Sequence, residues 1–253
     1  MAYDTLERPL RDVSGFSIGA VFARCLRTYR RRFVSFFLVT FAVTVPFGVA
    51  LSMVPMLLLP ADAQSRLADF SVVFALLIYL VLYAAQSVLF NSAYLDMSGQ
   101  AIALGNSVRR GLVRLPIVVI AVVTAWVAVL IGWAGVMFPG IMIFTMTAVT
   151  VPACVIERLG PFAAMSRSTA LTKGHRWQIL AIYLIEIIGG YGSFLGGEVL
   201  VQRLLPAYLA SIVMLGVAVA LIAFTAVLNT AVYFELRSAK DGVAGDHIAT
   251  VFD

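Results

Sequence analysis

The stretch LPIVVIAVVTAWVAVLIGWAGVMFPGIMIFTMTAVTVPACVI, residues 115–156, runs for 42 residues without a charged side chain. An α-helix rises about 1.5 Å per residue and the hydrocarbon core of a bilayer is about 30 Å thick, so one helix would be about twice as long as a span requires. The segment GWAGVMFPG, 132–140, contains three glycines and Pro139, which favour a tight turn. The stretch therefore predicts two membrane spans joined by a short connection.

Four further long runs have the same character. Residues 33–59, 70–95 and 207–234 contain no charge, and 177–197 contains only Glu186. Over the whole chain 62% of residues are hydrophobic and 12% are charged, whereas soluble domains carry about 25% charged residues. A globule of this size could not hide that much apolar surface from water. We predict an all-α integral membrane protein with about six transmembrane helices.

The basic residues alternate between the predicted connections. Segments 1–32, 96–114, 157–176 and 235–253 carry 16 of the 18 Lys and Arg residues, and the other two are Arg66 and Arg203. Lys and Arg accumulate on the cytoplasmic side of membranes. This predicts a multi-pass protein of the bacterial inner membrane with both termini in the cytoplasm, and it explains the basic pI without nucleic-acid binding. The predicted divisions are a cytoplasmic segment 1–32, a transmembrane domain 33–236 and a cytoplasmic tail 237–253.

A weak internal repeat accompanies the spans. The basic segments 15–33, 99–116 and 160–177 each precede a pair of spans and could form a short helix. In the first, Ile18 and Cys25 fall on an apolar helical face, while Arg24 and Arg27 fall on another. We therefore predict three repeats, each an amphipathic interfacial helix followed by a transmembrane hairpin.

Two stretches resemble a known family. VPACVIERLGPFAAMSRSTALTKGHRW, 151–177, is similar to the inner-loop signature of the bacterial glycerophosphoryl diester phosphodiesterase membrane-domain family, which includes the YciC-like proteins. The matching features are Pro152, Glu157, Gly160, Arg167-Ser168, Leu171-Thr172-Lys173-Gly174 and Trp177. AVYFELRSAKDG, 231–242, resembles the closing motif of that family, and the Arg-rich helix before the first span fits its arrangement.

The resemblance implies the membrane-domain fold but not the enzymatic activity. The family takes its name from members fused to a catalytic barrel, which needs about 250 residues of its own. The chain has only two histidines, His175 and His247, and no stretch that could form such a barrel. No catalytic triad, metal-ligand spacing or phosphate-binding loop can be assembled, so we expect no catalytic residues, no metal and no cofactor.

Three groups of candidate functional residues follow from the predicted topology. Glu186 lies near the middle of the fifth span, Gln86 lies at similar depth in the second, and Tyr183 lies one turn from Glu186. They could form a proton or cation site, or a protonated Glu186 could form a hydrogen bond between helices. Basic residues that could contact lipid headgroups, or simply set the topology, are Arg24, Arg27, Arg30, Arg31, Arg109, Arg110, Arg114, Arg167, Lys173 and Arg176. A polar cluster is predicted at the inner ends of spans two, four and six, comprising Asn91, Asp96, Glu157, Arg158, Glu235 and Arg237.

The polar cluster could line a cavity for a lipid headgroup or form salt bridges between repeats. In the fifth span, the five glycines at 189, 190, 192, 196 and 197 could pack closely within the monomer or form a homo-oligomer seam. The expected partners are membrane lipids, anionic ones above all, and another membrane protein or a second copy. The leading functional hypothesis is a non-enzymatic scaffold, assembly factor or lipid-interacting module, and the alternative is a transporter or channel for a small or amphiphilic solute.

Overall fold

The computed structural model describes residues 16–58, 86–100, 104–135 and 137–252, and these ranges are helical without strands. The helices are α1 (Ile18–Arg31), α2 (Phe33–Leu58), α3 (Ser87–Met97), α4 (Leu104–Gly135), α5 (Met137–Thr147), α6 (Thr150–Ile156), α7 (Pro161–Thr172), α8 (Arg176–Leu204) and α9 (Ala207–Phe252). Much of the predicted second span lies outside the described residues.

Four stretches in the described part are long and apolar enough to cross a membrane: Val113–Trp133, Phe138–Ile156, Arg176–Leu204 and Ala207–Asp241. Large apolar side chains on them face outward, including Ile188 with 72% of its surface exposed. Extended exposed apolar surface of this kind requires lipid as the surrounding medium. The chain is therefore an all-α membrane protein.

The first predicted amphipathic segment forms α1. Its N-terminus is capped by Ser17, whose Oγ accepts a hydrogen bond from the Ala20 amide at 3.2 Å. The helix buries Cys25 against the protein, and the Tyr29 hydroxyl donates a hydrogen bond to the Ala220 carbonyl of α9 at 2.8 Å. The apolar face of α1 thus packs on the helical bundle.

The second predicted amphipathic segment is not a separate helix. It merges with the following span into the 32-residue α4, which contains Pro116. Proline has no amide hydrogen, so only the hydrogen bond to the Leu112 carbonyl is lost, and the helix continues through it. Arg114, in the basic part of α4, donates to the Cys154 carbonyl near the end of α6 at 3.1 Å. The third segment does form a separate helix, α7, with Pro161 at its first turn as predicted.

The break between α4 and α5 falls inside the predicted turn, 132–140. A Cβ atom at Gly132 would lie 3.0 Å from the Gly140 Cα, and one at Gly140 would overlap the Trp133 indole. The two helices can approach this closely only because both positions are glycine.

The structure corrects one part of the predicted topology. The predicted arrangement placed the 132–140 connection outside and the start of the fifth span inside, yet the Phe138 and Trp177 ring centroids are 6.4 Å apart. Residues on opposite faces would be separated by about 30 Å of hydrocarbon. The connection and the start of α8 therefore cannot lie at opposite faces. The 11-residue α5 is only about 16 Å long, too short to carry the chain across before it breaks.

The chain between α5 and α6 breaks at residues 148 and 149. Pro152 lacks the amide hydrogen that would bond the Ala148 carbonyl four residues earlier. Ser168 of α7 bridges the break, because its Oγ donates to the Met146 carbonyl at 2.7 Å and accepts from the Val149 amide at 3.3 Å. Pro152 thus accounts for the helix break just before it.

The last helix also differs from the prediction. We expected a span at 207–234 and a separate tail at 237–253, but α9 runs without interruption to Phe252. Arg237 and Asp241 form an ion pair at helical i,i+4 spacing, 3.3 Å long, which favours continuation of the helix.

Candidate functional site

The most connected polar group in the described residues is Glu157, just after α6. Arg167 of α7 donates from its Nε to both Glu157 carboxylate oxygens, at 3.0 and 3.1 Å. The Tyr233 hydroxyl of α9 donates to Oε1 of Glu157 at 2.6 Å. The second arm of Arg167 donates from Nη2 to Asp241 at 2.6 Å. Arg167 therefore joins the α6–α7 turn to α9.

The network extends from Asp241 to α3. Arg237 contacts Asp241 through its Nε and donates from Nη1 to the Tyr94 hydroxyl of α3 at 3.0 Å. Burial alone would lower the pKa of Arg167, but hydrogen bonds with Asp241 and Glu157 raise that pKa above its usual range. Arg167 is consequently a permanent cation. We call the residues Tyr94, Glu157, Arg167, Tyr233, Arg237 and Asp241 the Glu157 network.

Two more ion pairs fix α1 and the residue that follows it. Arg24 pairs with Glu235 at 2.6 Å, and its guanidinium carbon lies 4.4 Å from the centroid of the Phe234 ring. Arg32 pairs with Asp96 at 3.2 Å, and the Asp96 side chain is only 5% exposed. These pairs and the Glu157 network share one end of the bundle, which we call the basic face.

The predicted inner-end cluster is thus partly assembled in space. Asp96, Glu157, Glu235 and Arg237 all take part in ion pairs, although in separate groups. Asn91 lies partly buried in α3. Arg158 is exposed and has a φ of 59°, so it turns the chain after Glu157.

Sequence reasoning missed the partners of these residues, namely Arg32, Tyr94, Tyr233 and Asp241, and it assigned Arg24 and Arg167 to lipid contact. Arg237 and Asp241 could have been found from their i,i+4 spacing. The Arg24–Glu235 contact joins residues 211 positions apart, and no local pattern signals it.

The other predicted lipid-contact residues are placed differently. Among the described side chains, Arg27, Arg30, Arg31, Arg109 and Lys173 are exposed and have no ion pair. Arg176 is partly buried, Arg114 is bound to a carbonyl, and the side chain of Arg110 lies outside the described residues.

The predicted intramembrane residues meet polar partners on α9. The Tyr183 hydroxyl donates to Asn229 Oδ1 at 2.5 Å and lies 3.5 Å from the Ala148 carbonyl at the α5–α6 break. Oε1 of Glu186 is buried without a hydrogen-bond partner in the described part. Oε1 of Gln86 is also buried and unpaired there. The sequence analysis did not single out Asn229.

The thiol of Cys25 in α1 is fully buried. Burial, reinforced by the Glu186 carboxylate, raises its pKa to about 12. Cys25 is therefore an inert thiol at neutral pH.

The glycine face of α8 has no close neighbour in the described part. A Cβ atom at any of its five glycines, 189, 190, 192, 196 and 197, would meet no atom within 4 Å. Packing against the described helices therefore does not explain these glycines.

Together, fold and site define a helical membrane protein with a basic face held by ion pairs and with unpaired cations exposed around it. No protein-family model, curated protein or solved structure matches the chain. The two stretches that carry the family resemblance, 151–177 and 231–242, contact each other through Glu157–Tyr233 and Arg167–Asp241.

Proposed function

We propose that the protein is a non-enzymatic, multi-pass protein of the bacterial inner membrane whose basic face binds anionic lipid headgroups. In this proposal it acts as a lipid-interacting scaffold or assembly factor. The supporting observation is the distribution of charge. Each described acid of the basic face is engaged by an arginine, and exposed cations remain around them without an anionic partner in the described residues.

The exposed cations of α1 illustrate the size of the effect. Arg27, Arg30 and Arg31 lie within about one helical turn of one another. Each basic residue near an anionic leaflet contributes about 1 kcal/mol, so the three would contribute about 3 kcal/mol, or roughly 150-fold in affinity. Since α1 is anchored by Arg24–Glu235, these cations are held in place before a lipid arrives.

The proposal includes a topology. The basic segments lie in the cytoplasm, and six apolar segments enter the membrane as pairs that return to the side they left. The hairpin formed by α4, α5 and α6 begins and ends at the basic face, since Arg114 contacts Cys154 there. Both termini are then cytoplasmic, because the tip of that hairpin lies beside the start of α8 and not at the opposite face. The resemblance to the phosphodiesterase membrane-domain family agrees with this proposal.

Lipid analysis of the full chain tests the proposed function. The protein is extracted in native-lipid discs, and the ratio of phosphatidylglycerol and cardiolipin to phosphatidylethanolamine is compared with the bulk membrane. We expect enrichment of the anionic lipids, and we expect the triple change Arg27→Gln, Arg30→Gln, Arg31→Gln to reduce it. The matched control is Arg203→Gln, an exposed arginine at the other end of α8. Equal lipid ratios in all three proteins and the bulk membrane would reject the proposal.

The second candidate function is transport of a small or amphiphilic solute. It is favoured by buried polar atoms without a partner in the described part, Glu186 Oε1 and Gln86 Oε1, which are costly inside a membrane. The test is Glu186→Gln in proteoliposomes loaded with a pH-sensitive dye. Proton flux in the original protein that is lost in the variant would support transport. If neither the original protein nor the variant conducts protons, the transport function is rejected.

A further inference from the structure

A groove between α5 and α8 combines apolar walls with a partly buried cation. Its walls include Phe138, Met142 and Thr145 of α5 and Arg176, Trp177 and Leu180 of α8. The two aromatic residues stand at its rim, with 58% and 67% of their surfaces exposed. Exposed aromatic rings beside an apolar surface are typical of the zone where lipid headgroups meet acyl chains.

Arg176 gives the groove its charge. Its Nε is buried and has no hydrogen-bond partner among the described residues. The described acids of the basic face are engaged by other arginines, so none of them neutralises Arg176. A buried guanidinium N–H without an acceptor is unfavourable, and an anionic oxygen within reach of the Arg176 guanidinium would offset that cost. The exposed Lys173 adds a second cation at the same end of α8.

We propose that this groove binds one anionic phospholipid of the surrounding leaflet. The phosphodiester accepts a hydrogen bond from the guanidinium of Arg176, and the upper part of one acyl chain lies along the apolar walls. From Phe138 to Thr145 the wall is about 10 Å long, so it covers only the first part of a chain. The inference builds on the proposed lipid-binding function but uses residues separate from the arginines of α1.

An amphiphile fits the groove better than other occupants. A free phosphate ion would make no contact with the apolar wall, and an uncharged chain would leave Arg176 without an acceptor. Only a molecule with an anionic head and an apolar tail satisfies both surfaces, and such molecules are abundant in the membrane.

Native mass spectrometry of the full chain tests the proposal by counting bound lipids during titration with phosphatidylglycerol or phosphatidylcholine. We expect one tight phosphatidylglycerol site. Arg176→Gln should weaken it about fivefold to tenfold, and Arg176→Lys should retain most of the affinity. Met142→Trp fills the groove and should weaken the same site, whereas Ile212→Trp, at an exposed position on α9, should not.

The outcomes separate this proposal from the proposed function. If Arg176→Gln loses the tight lipid site and the α1 triple variant binds lipid normally, the groove is supported and the α1 arginines are rejected as the lipid site. If Arg176→Gln keeps the tight lipid site and the α1 triple variant loses lipid binding, only the groove is rejected. Equal affinity for both lipids, no effect of either Arg176→Gln or Met142→Trp, or a second protein chain bound in place of lipid overturns the proposal. Unfolding of Met142→Trp leaves the Arg176 pair of variants to decide.

Discussion

Removing the Arg167 side-chain charge should loosen the basic face. In Arg167→Met the hydrophobic stem stays, but Glu157 loses two hydrogen bonds and Asp241 loses one. Breaking an exposed ion pair costs about 0.2–1 kcal/mol, and breaking a buried one costs about 3–5 kcal/mol. The Glu157 and Arg167 side chains are 17% and 27% exposed, between these limits, so we expect a loss of about 2–3 kcal/mol.

Thermal unfolding in detergent micelles, followed by the fraction remaining soluble, measures the change. About 2–4 °C per kcal/mol is typical of a chain of this size, so Tm should fall by about 4–12 °C. Arg27→Gln is the matched control, because Arg27 is exposed and has no ion pair in the described part; its effect should stay within about 0.5 kcal/mol. Tyr233→Phe removes the other donor to Glu157, and the double variant should show coupling of at least about 0.5 kcal/mol. If Arg167→Met and Arg27→Gln have the same Tm, the Glu157 network does not stabilise the fold.

Three further changes test separate features. The folded state raises the pKa of Cys25 to about 12, so the buried, protonated thiol stabilises the fold fully below the ordinary thiol pKa of about 8.5, and this stabilisation is lost as the pH rises above that value. A shift from pH 8 to pH 10 should therefore lower the free energy of unfolding of the original protein by up to about 2 kcal/mol more than that of Cys25→Ala. Equal pH dependence of the two proteins would contradict this. Gly140→Ala should disrupt the α4–α5 hairpin by collision with Trp133, whereas Gly196→Ala, with open space around it, should be neutral or stabilising; the yield of monodisperse protein in size-exclusion chromatography distinguishes them. Ser168→Ala should cost about 1–3 kcal/mol, since it leaves the buried Val149 amide without its acceptor, and an unchanged Tm would show that another group satisfies the break.

Sequence periodicity predicts the elements whose cause is local. The break within 132–140 follows from three glycines and a proline, and α1 follows from apolar residues at helical spacing after the cap Ser17. The long apolar helices follow from the absence of charge over more than 18 residues. In each case the physical reason lies inside one continuous stretch of sequence.

The remaining features depend on contacts between residues that are far apart in the sequence. A single proline could end α4 or be tolerated within it, and the structure continues the helix through Pro116. The charge of Arg24 is equally compatible with a lipid headgroup or with Glu235, since the sequence does not show which acid approaches it. The sequence analysis wrongly places Phe138 and Trp177 on opposite sides of the membrane. Charge alternation assigns each connection to one side of the membrane, but it does not detect a short helix that breaks before it crosses.

The two stretches that resemble the membrane-domain family place their polar residues at one structural joint. Pro152 frees a carbonyl at the α5–α6 break, Ser168 bridges that break, and the adjacent Arg167 ties Glu157 to α9. A broken helix inside a membrane protein needs such partners, because lipid offers none to a freed backbone group. The structural joint therefore accounts for the proximity of these residues without any reaction. The exposed cations and Arg176, which the joint does not use, are the residues where a ligand should be sought.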